Sequence, residues 1–207
     1  KAVRRSGTYL VHFSSDLVFD GEKRAPYIPG DRTNPACVLG ASKLAGERSV
    51  AETVPESALI IRTSWLFGPW KTNFVQQLLD RARTERIIPV AHDAIGSPTY
   101  TLDLAYYASL LMRHRAVGTY HLSNSGRASW CELAAEALAA TDYAVKVEPI
   151  TSEPALQRAM RPLSHVLDTS DFTRMVRLKP RPWLQALREY MFRFEAERLW
   201  GDPLRAA

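Results

Sequence analysis

The sequence predicts an α/β protein: a parallel sheet with helices on its faces and a smaller mixed lobe beside it. Three observations predict this. Thr8-Tyr-Leu-Val-His-Phe-Ser14 and Ser57-Ala-Leu-Ile-Ile-Arg-Thr63 are short β-branched and aromatic runs, continuous rather than alternating, which suits strands covered on both faces. Between them, residues 37–53 read as a helix, with Lys43, Glu47 and Ala51 recurring every fourth residue. The order strand, helix, strand then repeats along the chain, as expected for a sheet with helical crossovers.

The elements follow in order. The first strand ends in the polar Ser14-Ser15-Asp16, and ligands of open α/β sheets bind outside the carboxyl ends of strands. Gly21, Pro26, Pro29, Gly30 and Pro35 make the next stretch a loop. The helix over 37–53 is closed by Pro55. After the second strand come Trp65 and Gly68, then a helix over 73–85 capped by Thr72, and a strand over 87–91. A Gly96-Ser-Pro98 turn leads to a helix over 101–113 and a strand over 118–123. Ser129, with Glu132 three positions on, is a capping box for a helix to Ala140. Residues 143–150 are predicted as an edge strand, 151–170 as a Pro-interrupted loop and 183–200 as a terminal amphipathic helix. There are no internal repeats.

Composition narrows the function classes. The 207 residues carry a net charge of +5 with basic residues scattered. The densest cluster, Arg174 to Arg181, has no interleaved aromatics, which leaves open a solvated face or attraction of an anionic small molecule and argues against nucleic acid. Cys37 and Cys131 have neither disulfide-framework nor zinc spacing and are expected as buried thiols in a reducing compartment. No apolar run approaches the ~18–20 residues that span a bilayer, and no signal-peptide pattern opens the chain, so a cytoplasmic protein without a membrane partner is expected. His12 and His121, inside apolar strands, read as core histidines, and no metal is assigned. The chain opens on Lys1 with a strand by residue 8, so the natural polypeptide is expected to begin upstream.

Four segments in this order resemble one family: Ser14-Ser-Asp-Leu-Val-Phe-Asp-Gly21, Gly40-Ala-Ser-Lys-Leu-Ala-Gly-Glu47, Arg62-Thr-Ser-Trp-Leu-Phe-Gly68 and Gly96-Ser-Pro-Thr-Tyr-Thr101. Gly118-Thr-Tyr-His121, Ala128-Ser-Trp130, Arg161-Pro162 and Leu167-Asp-Thr-Ser170 extend the match over nearly the whole chain. The set is similar to dTDP-4-dehydrorhamnose reductases, extended short-chain dehydrogenase/reductases that reduce a 4-keto sugar nucleotide with NADPH or NADH. The resemblance implies that residues 1–207 are part of an NAD(P)-binding Rossmann-like reductase. It also implies an intertwined sugar-nucleotide-binding lobe, mainly 67–100 and 121–180. A dTDP-sugar is the implied small-molecule partner, and a homodimer is left open. Magnesium between subunits occurs in the family, but no motif here carries its ligands over.

In that family a Ser or Thr, a Tyr and a Lys act together, Tyr and Lys sharing one helix face four residues apart. A nicotinamide delivers hydride to the carbonyl carbon, the phenol protonates the alkoxide, the ammonium lowers the phenol's pKa and the hydroxyl holds the oxygen. By position Ser15 matches the hydroxyl donor and Lys43 the lysine, which also holds the nicotinamide ribose, while the tyrosine position is Leu39. Ser14, Arg62 and Ser64 join Lys43 as implied cofactor-binding residues. Asp16, Leu17, Trp65, Thr99 and Tyr100 are implied at the sugar, Leu17 standing where the family usually has a second tyrosine. Arg161 matches a residue near the diphosphate, where a guanidinium fork suits phosphate oxygens. Bland readings stand beside these: a strand-end serine, a solvated helix lysine, a core tryptophan, a structural turn and a surface arginine.

Neither GxxGxxG nor GxGxxG occurs in these residues, so the helix N-terminus that cradles a dinucleotide pyrophosphate is missing from them and NAD(P)H binding by this chain is expected to be weak or absent. The implied function is reduction of dTDP-4-dehydro-6-deoxy-L-mannose to dTDP-L-rhamnose, impaired because Leu39 has no exchangeable proton. The alternative is a non-catalytic sugar-nucleotide-binding or regulatory subunit.

Overall fold

The computed structural model describes residues 2–152 and 163–200. The chain begins with α1 (Ala2–Ser6), β1 (Leu10–Ser15), a single 3-10 turn at Asp16–Val18, α2 (Val38–Thr53) and β2 (Ala58–Thr63). There follow β3 (Leu66–Phe67), α3 (Phe74–Ala82), β4 (Ile87–Ala91), β5 (Ile95–Gly96), β6 (Thr99–Tyr100) and α4 (Thr101–Arg113). Then come β7 (Gly118–His121), β8 (Ala128–Ser129), α5 (Trp130–Ala139) and β9 (Lys146–Ile150). After the undescribed stretch stand β10 (Ser164–His165), α6 (Ser170–Val176) and α7 (Trp183–Trp200).

The main sheet is parallel in the order β1-β2-β7. Its register runs residue for residue from Leu10 against Ala58 to Ser15 against Thr63, so both polar strand ends emerge side by side. Every residue of β2 is buried, which is why its sequence does not alternate. On one face Leu59 and Ile61 of β2 pack with Leu104, Tyr107 and Leu111 of α4 and Phe172 of α6. α2 lies against β1 and the 3-10 turn. A Cβ on Gly40 would fall 2.0 Å from the Leu17 carbonyl oxygen, so only glycine lets the first turn of α2 approach so closely.

The lobe has its own core. Val75, Leu78 and Leu79 of α3 meet Ile88 and Val90 of β4, Leu133 and Ala137 of α5, and Leu187 and Tyr190 of α7. Three small sheets serve it: β4 with β9, β3 with β6, and β5 between β10 and β8. The capping box of α5 is complete, Ser129 Oγ accepting from the Glu132 amide and Glu132 accepting from the Ser129 amide.

Several expectations are corrected. Asn73, not Thr72, caps α3: its backbone is extended and its Oδ1 accepts from the Gln76 amide at 3.2 Å, whereas Thr72 is exposed. That helix stops at Ala82, and the expected strand over 143–150 forms only from Lys146, where pairing with Ile87 begins. Cys37 and Cys131 are half-buried rather than buried, Cys37 because it caps α2 with its Sγ toward the Gly40 amide. The basic cluster is not uniformly solvated: Arg181 pairs with Asp103 and Glu189 at 2.7 Å each. α1 and α6 were not expected.

Two buried groups tie the sheet together. Arg62 of β2 and Glu47 of α2 form a bidentate pair, Nε to Oε1 at 2.9 Å and Nη2 to Oε2 at 2.7 Å, while Nη1 donates to the Pro29 carbonyl at 3.1 Å. Both side chains are 6% exposed. Glu47→Ala would leave the guanidinium charge buried and unpaired and is expected to cost about 3–5 kcal/mol, whereas the double change Glu47→Leu/Arg62→Met costs far less. Urea unfolding of the two variants checks this. A loss below about 1 kcal/mol for Glu47→Ala refutes it, since that is the scale of an exposed pair.

His121 at the end of β7 is 1% exposed and its Nδ1 lies 2.9 Å from the Tyr27 carbonyl. Because a carbonyl only accepts, Nδ1 carries the hydrogen. Burial, reinforced by the nearby Arg62 charge, pushes the imidazole pKa from 6.5 down to about 4. Above pH 6.5 folded and unfolded states are both neutral here, and the stability is fully present. Between pH 6.5 and 4 the unfolded chain takes up a proton that the folded chain refuses, so stability falls, by about 3 kcal/mol in all. The difference in stability between wild type and His121→Gln should therefore shift toward the variant as pH drops through this window. Parallel curves for the two proteins would show that His121 is not the titrating group.

Candidate functional site

A cavity of about 800 Å³ opens where the carboxyl end of β1 and the segment after β2 face the lobe. Ser15, Asp16, Leu17 and Trp65 line it from the sheet side, and Phe74, Gln77 and Arg81 from α3. Trp130 at the start of α5 and His165 of β10 complete the wall. The position is the one that the polar strand ends pointed to.

Asp16 is the centre of the floor. It is 4% exposed, yet three donors converge on its carboxylate. Ser15 Oγ donates to Oδ1 at 2.7 Å, and Ser64 Oγ donates to Oδ2 at 2.8 Å. His165 Nδ1 lies 2.8 Å from Oδ2 and must carry the hydrogen toward it. Charge-assisted bonds of this kind are what make a buried carboxylate tolerable. Ser15 Oγ also accepts from the Leu17 amide at 3.2 Å, which fixes the serine rotamer and starts the 3-10 turn.

Trp65 lines the cavity under backbone strain. Its φ is +44°, a region that non-glycine residues rarely adopt and that tends to persist at functional sites. Its carbonyl accepts from the Thr99 amide at 3.0 Å, and its indole stacks on Trp130 with centroids 3.6 Å apart and planes within 8°. Gly96 makes room for it, since a Cβ there would lie 2.3 Å from the indole Cε2.

On α2, Leu39 is 56% exposed and stands one turn before Lys43. The Lys43 ammonium donates to the Phe13 carbonyl on β1 at 3.2 Å. Ser14, the next residue, is 4% exposed, and its Oγ has no hydrogen-bond partner among the described residues.

The structure thus brings Ser15, Asp16, Leu17 and Trp65 to one cavity and separates others from it. Arg62 is committed through all three of its guanidinium nitrogens to Glu47 and Pro29, which gives it a structural role between α2 and β2. Ser64 is 2% exposed and its hydroxyl belongs to Asp16, so it reaches a ligand only through that carboxylate. Thr99 and Tyr100 are fully buried. Thr99 Oγ1 donates to the Ser97 carbonyl and the Tyr100 ring stacks on Phe67 at 5.5 Å, so they support the cleft from beneath. Arg161 lies outside the described residues. Sequence reasoning missed His165, Trp130, Phe74, Gln77 and Arg81. The first two carried a signal: His165 stands between the recognised Arg161-Pro162 and Leu167-Asp-Thr-Ser170 segments, and Trp130 ends the Ala128-Ser-Trp130 segment. Among the described residues no group of three His, Cys, Asp or Glu side chains could hold a metal ion.

A parallel sheet whose polar strand ends face a cleft completed by a second lobe defines a Rossmann-like α/β protein. A family model described as the RmlD substrate binding domain matches residues 1–196, and the chain belongs to that family. Over 187 residues, 90% of the chain, it is 38% identical to the spore coat polysaccharide biosynthesis protein SpsK of Bacillus subtilis, of which it spans 65%. It is likewise 38% identical over 197 residues, 91% of the chain, to a dTDP-4-dehydrorhamnose reductase of Streptomyces griseus, of which it spans 64%. The chain therefore covers slightly less than two thirds of these relatives' lengths. Among solved structures, a dTDP-4-dehydrorhamnose reductase of Bacillus anthracis in complex with NADP superposes with a TM-score of 0.89 at 33% identity, covering 93% of this chain and 68% of that one.

The seat of Trp65 gives a direct test. Gly96→Ala is expected to expel the indole from its stack on Trp130 and to cost about 1–3 kcal/mol through overpacking. Near-UV circular dichroism should lose the signal of the paired indoles. An unchanged spectrum with unchanged stability would mean that the ring does not rest on Gly96.

Proposed function

We propose that the protein is a dTDP-sugar-binding member of the dTDP-4-dehydrorhamnose reductase type whose NAD(P)H-dependent reduction of a 4-keto sugar is impaired at proton transfer. The observation that carries this reading is Leu39, a hydrocarbon one helical turn before Lys43 on the same face of α2, where the resembled enzymes carry a phenol. Ser15 and Lys43, the other two members of the trio, keep their residue types. A leucine can neither give a proton to a developing alkoxide nor be tuned by the neighbouring ammonium, and loss of a general acid typically costs ~10²–10⁴ in rate.

The residues present fit one end of a nicotinamide cofactor. Ser14 Oγ is a buried hydroxyl without a partner among the described residues, beside the carbonyl that Lys43 binds, and these two groups suit ribose hydroxyls. When bound, such a cofactor supplies the hydride. The pyrophosphate, by contrast, finds no glycine-rich turn in these residues. The cleft supports sugar binding independently of turnover: the indole wall of Trp65 and Trp130 offers an apolar face, while Ser15 and Gln77 offer hydrogen bonds and Arg81 a cation. No described helix is long and apolar enough to cross a membrane, and a cytoplasmic setting, where reduced nicotinamides are at hand, suits the reading.

The test is NAD(P)H oxidation by the full-length protein with the 4-keto sugar nucleotide. Wild type should turn over slowly, and Leu39→Tyr should raise the rate by roughly 10² or more. Wild-type turnover at ordinary reductase rates, or no gain from the phenol, would refute impairment at position 39.

A further inference from the structure

Among the described residues that line the cavity, Arg81 is the one arginine or lysine. It stands on α3, on the stripe that Phe74, Gln77 and Leu78 begin, and from Phe74 to Arg81 the helix rises about 10 Å. Phe74 meets the Trp130 ring at 4.5 Å, so the aromatic wall lies at one end of the stripe and the guanidinium at the other. Arg81 uses one side of its fork within the protein: Nε donates to Glu85 Oε1 and Nη2 to Glu85 Oε2, both at 2.7 Å. Glu85 is itself held, its amide donating to the Arg81 carbonyl at 2.9 Å. A guanidinium has five N–H donors. No described residue takes up the Nη1 hydrogens or the second hydrogen of Nη2, and those two nitrogens form a further planar fork of the kind that suits phosphate oxygens. The two side chains are 44% and 39% exposed, so a ligand can reach that fork by displacing water.

We infer that Arg81 receives the diphosphate of the bound nucleotide sugar through this second fork, and that Glu85 is the positioning residue that holds the guanidinium plane for it. A diphosphate is anionic and needs a cation. Asp16, the one carboxylate among the described lining residues, is buried in the floor and repels it, whereas an uncharged sugar can lie there. The ligand is thereby given a direction, its sugar toward Ser15 and the indole wall and its phosphates toward Arg81. Without Glu85 the arginine would sample many rotamers, and ordering it on binding would cost side-chain entropy; the pair has met that cost beforehand. An ion pair of this exposure adds little to stability, so orientation is the larger part of what Glu85 does. This rests on the sugar-nucleotide reading above and names the residues that hold the ligand's charged half.

Calorimetry on the full-length protein decides it with three probes: thymidine, dTDP and NADP+. The wild type should bind dTDP at least about tenfold more tightly than thymidine, the scale of charge-assisted hydrogen bonds. Arg81→Gln should remove most of that margin, and Arg81→Lys, a point charge without a fork, part of it, with thymidine affinity unchanged in both. Glu85→Gln should weaken dTDP by roughly threefold, the scale of one side chain immobilised on binding, at unchanged thermal stability; a merely structural glutamate would shift stability and leave the margin intact. NADP+ titrations should be the same in wild type and Arg81→Gln. A full dTDP margin in Arg81→Gln, tighter dTDP binding by Glu85→Gln, or loss of NADP+ rather than dTDP from Arg81→Gln overturns the inference while leaving nucleotide-sugar binding intact. No heat from thymidine or dTDP with the wild type overturns the sugar-nucleotide reading, and this inference with it.

Discussion

A buried carboxylate at the end of β1 governs how the two halves of this molecule meet. Asp16 draws hydrogen bonds from its neighbour Ser15, from Ser64 just after β2, and from His165 of β10. The first two belong to the sheet and the third to the lobe. An ionised group with 4% exposure is tolerable only when its lone pairs are engaged, so the requirement to satisfy one side chain fixes the relative placement of three segments far apart in sequence. The cavity lies over this junction, and its floor inherits the rigidity of the network.

Around that junction the backbone comes unusually close to its neighbours at two glycines. Gly40 lets the first turn of α2 touch the 3-10 turn that begins at Asp16, and Gly96 lets the Trp65 ring lie flat against β5. One close approach sets where positions 39 and 43 stand relative to Ser15; the other sets the aromatic wall. Arg62 and Glu47 add a second clamp between α2 and β2. The site is thus positioned by packing and buried polar bonds in the elements beneath it.

Much of this was legible in the sequence, and the remainder was hidden for identifiable reasons. β1 and β2 announced themselves because a strand covered on both faces has no need to alternate, and α5 because both halves of its capping box are written three residues apart. The pairing of Arg62 was not legible because a motif gives a residue's neighbours in the chain and not its partner in space; Glu47, fifteen residues earlier, neutralises it. The burial of Thr99 and Tyr100 was not legible because a turn motif does not show that Thr99 Oγ1 folds back onto the Ser97 carbonyl and that the Tyr100 ring packs on Phe67. His165 went unread because β10 is only two residues long and lies in a stretch read as loop. Its importance comes from Asp16, 149 positions away in sequence, by the numbering of the chain.

Position 39 belongs to none of the three apolar clusters of the described residues. The described packing of α2 does not run through that side chain, and the helix that carries it is anchored by Gly40, Leu44 and Glu47 instead. A lineage can exchange a reactive group for an inert one at such a place, or regain it, while the surrounding architecture stays unaltered. Side-chain chemistry and scaffold are in this sense separable in α2, where one solvent-facing position can change without disturbing the contacts that seat the helix.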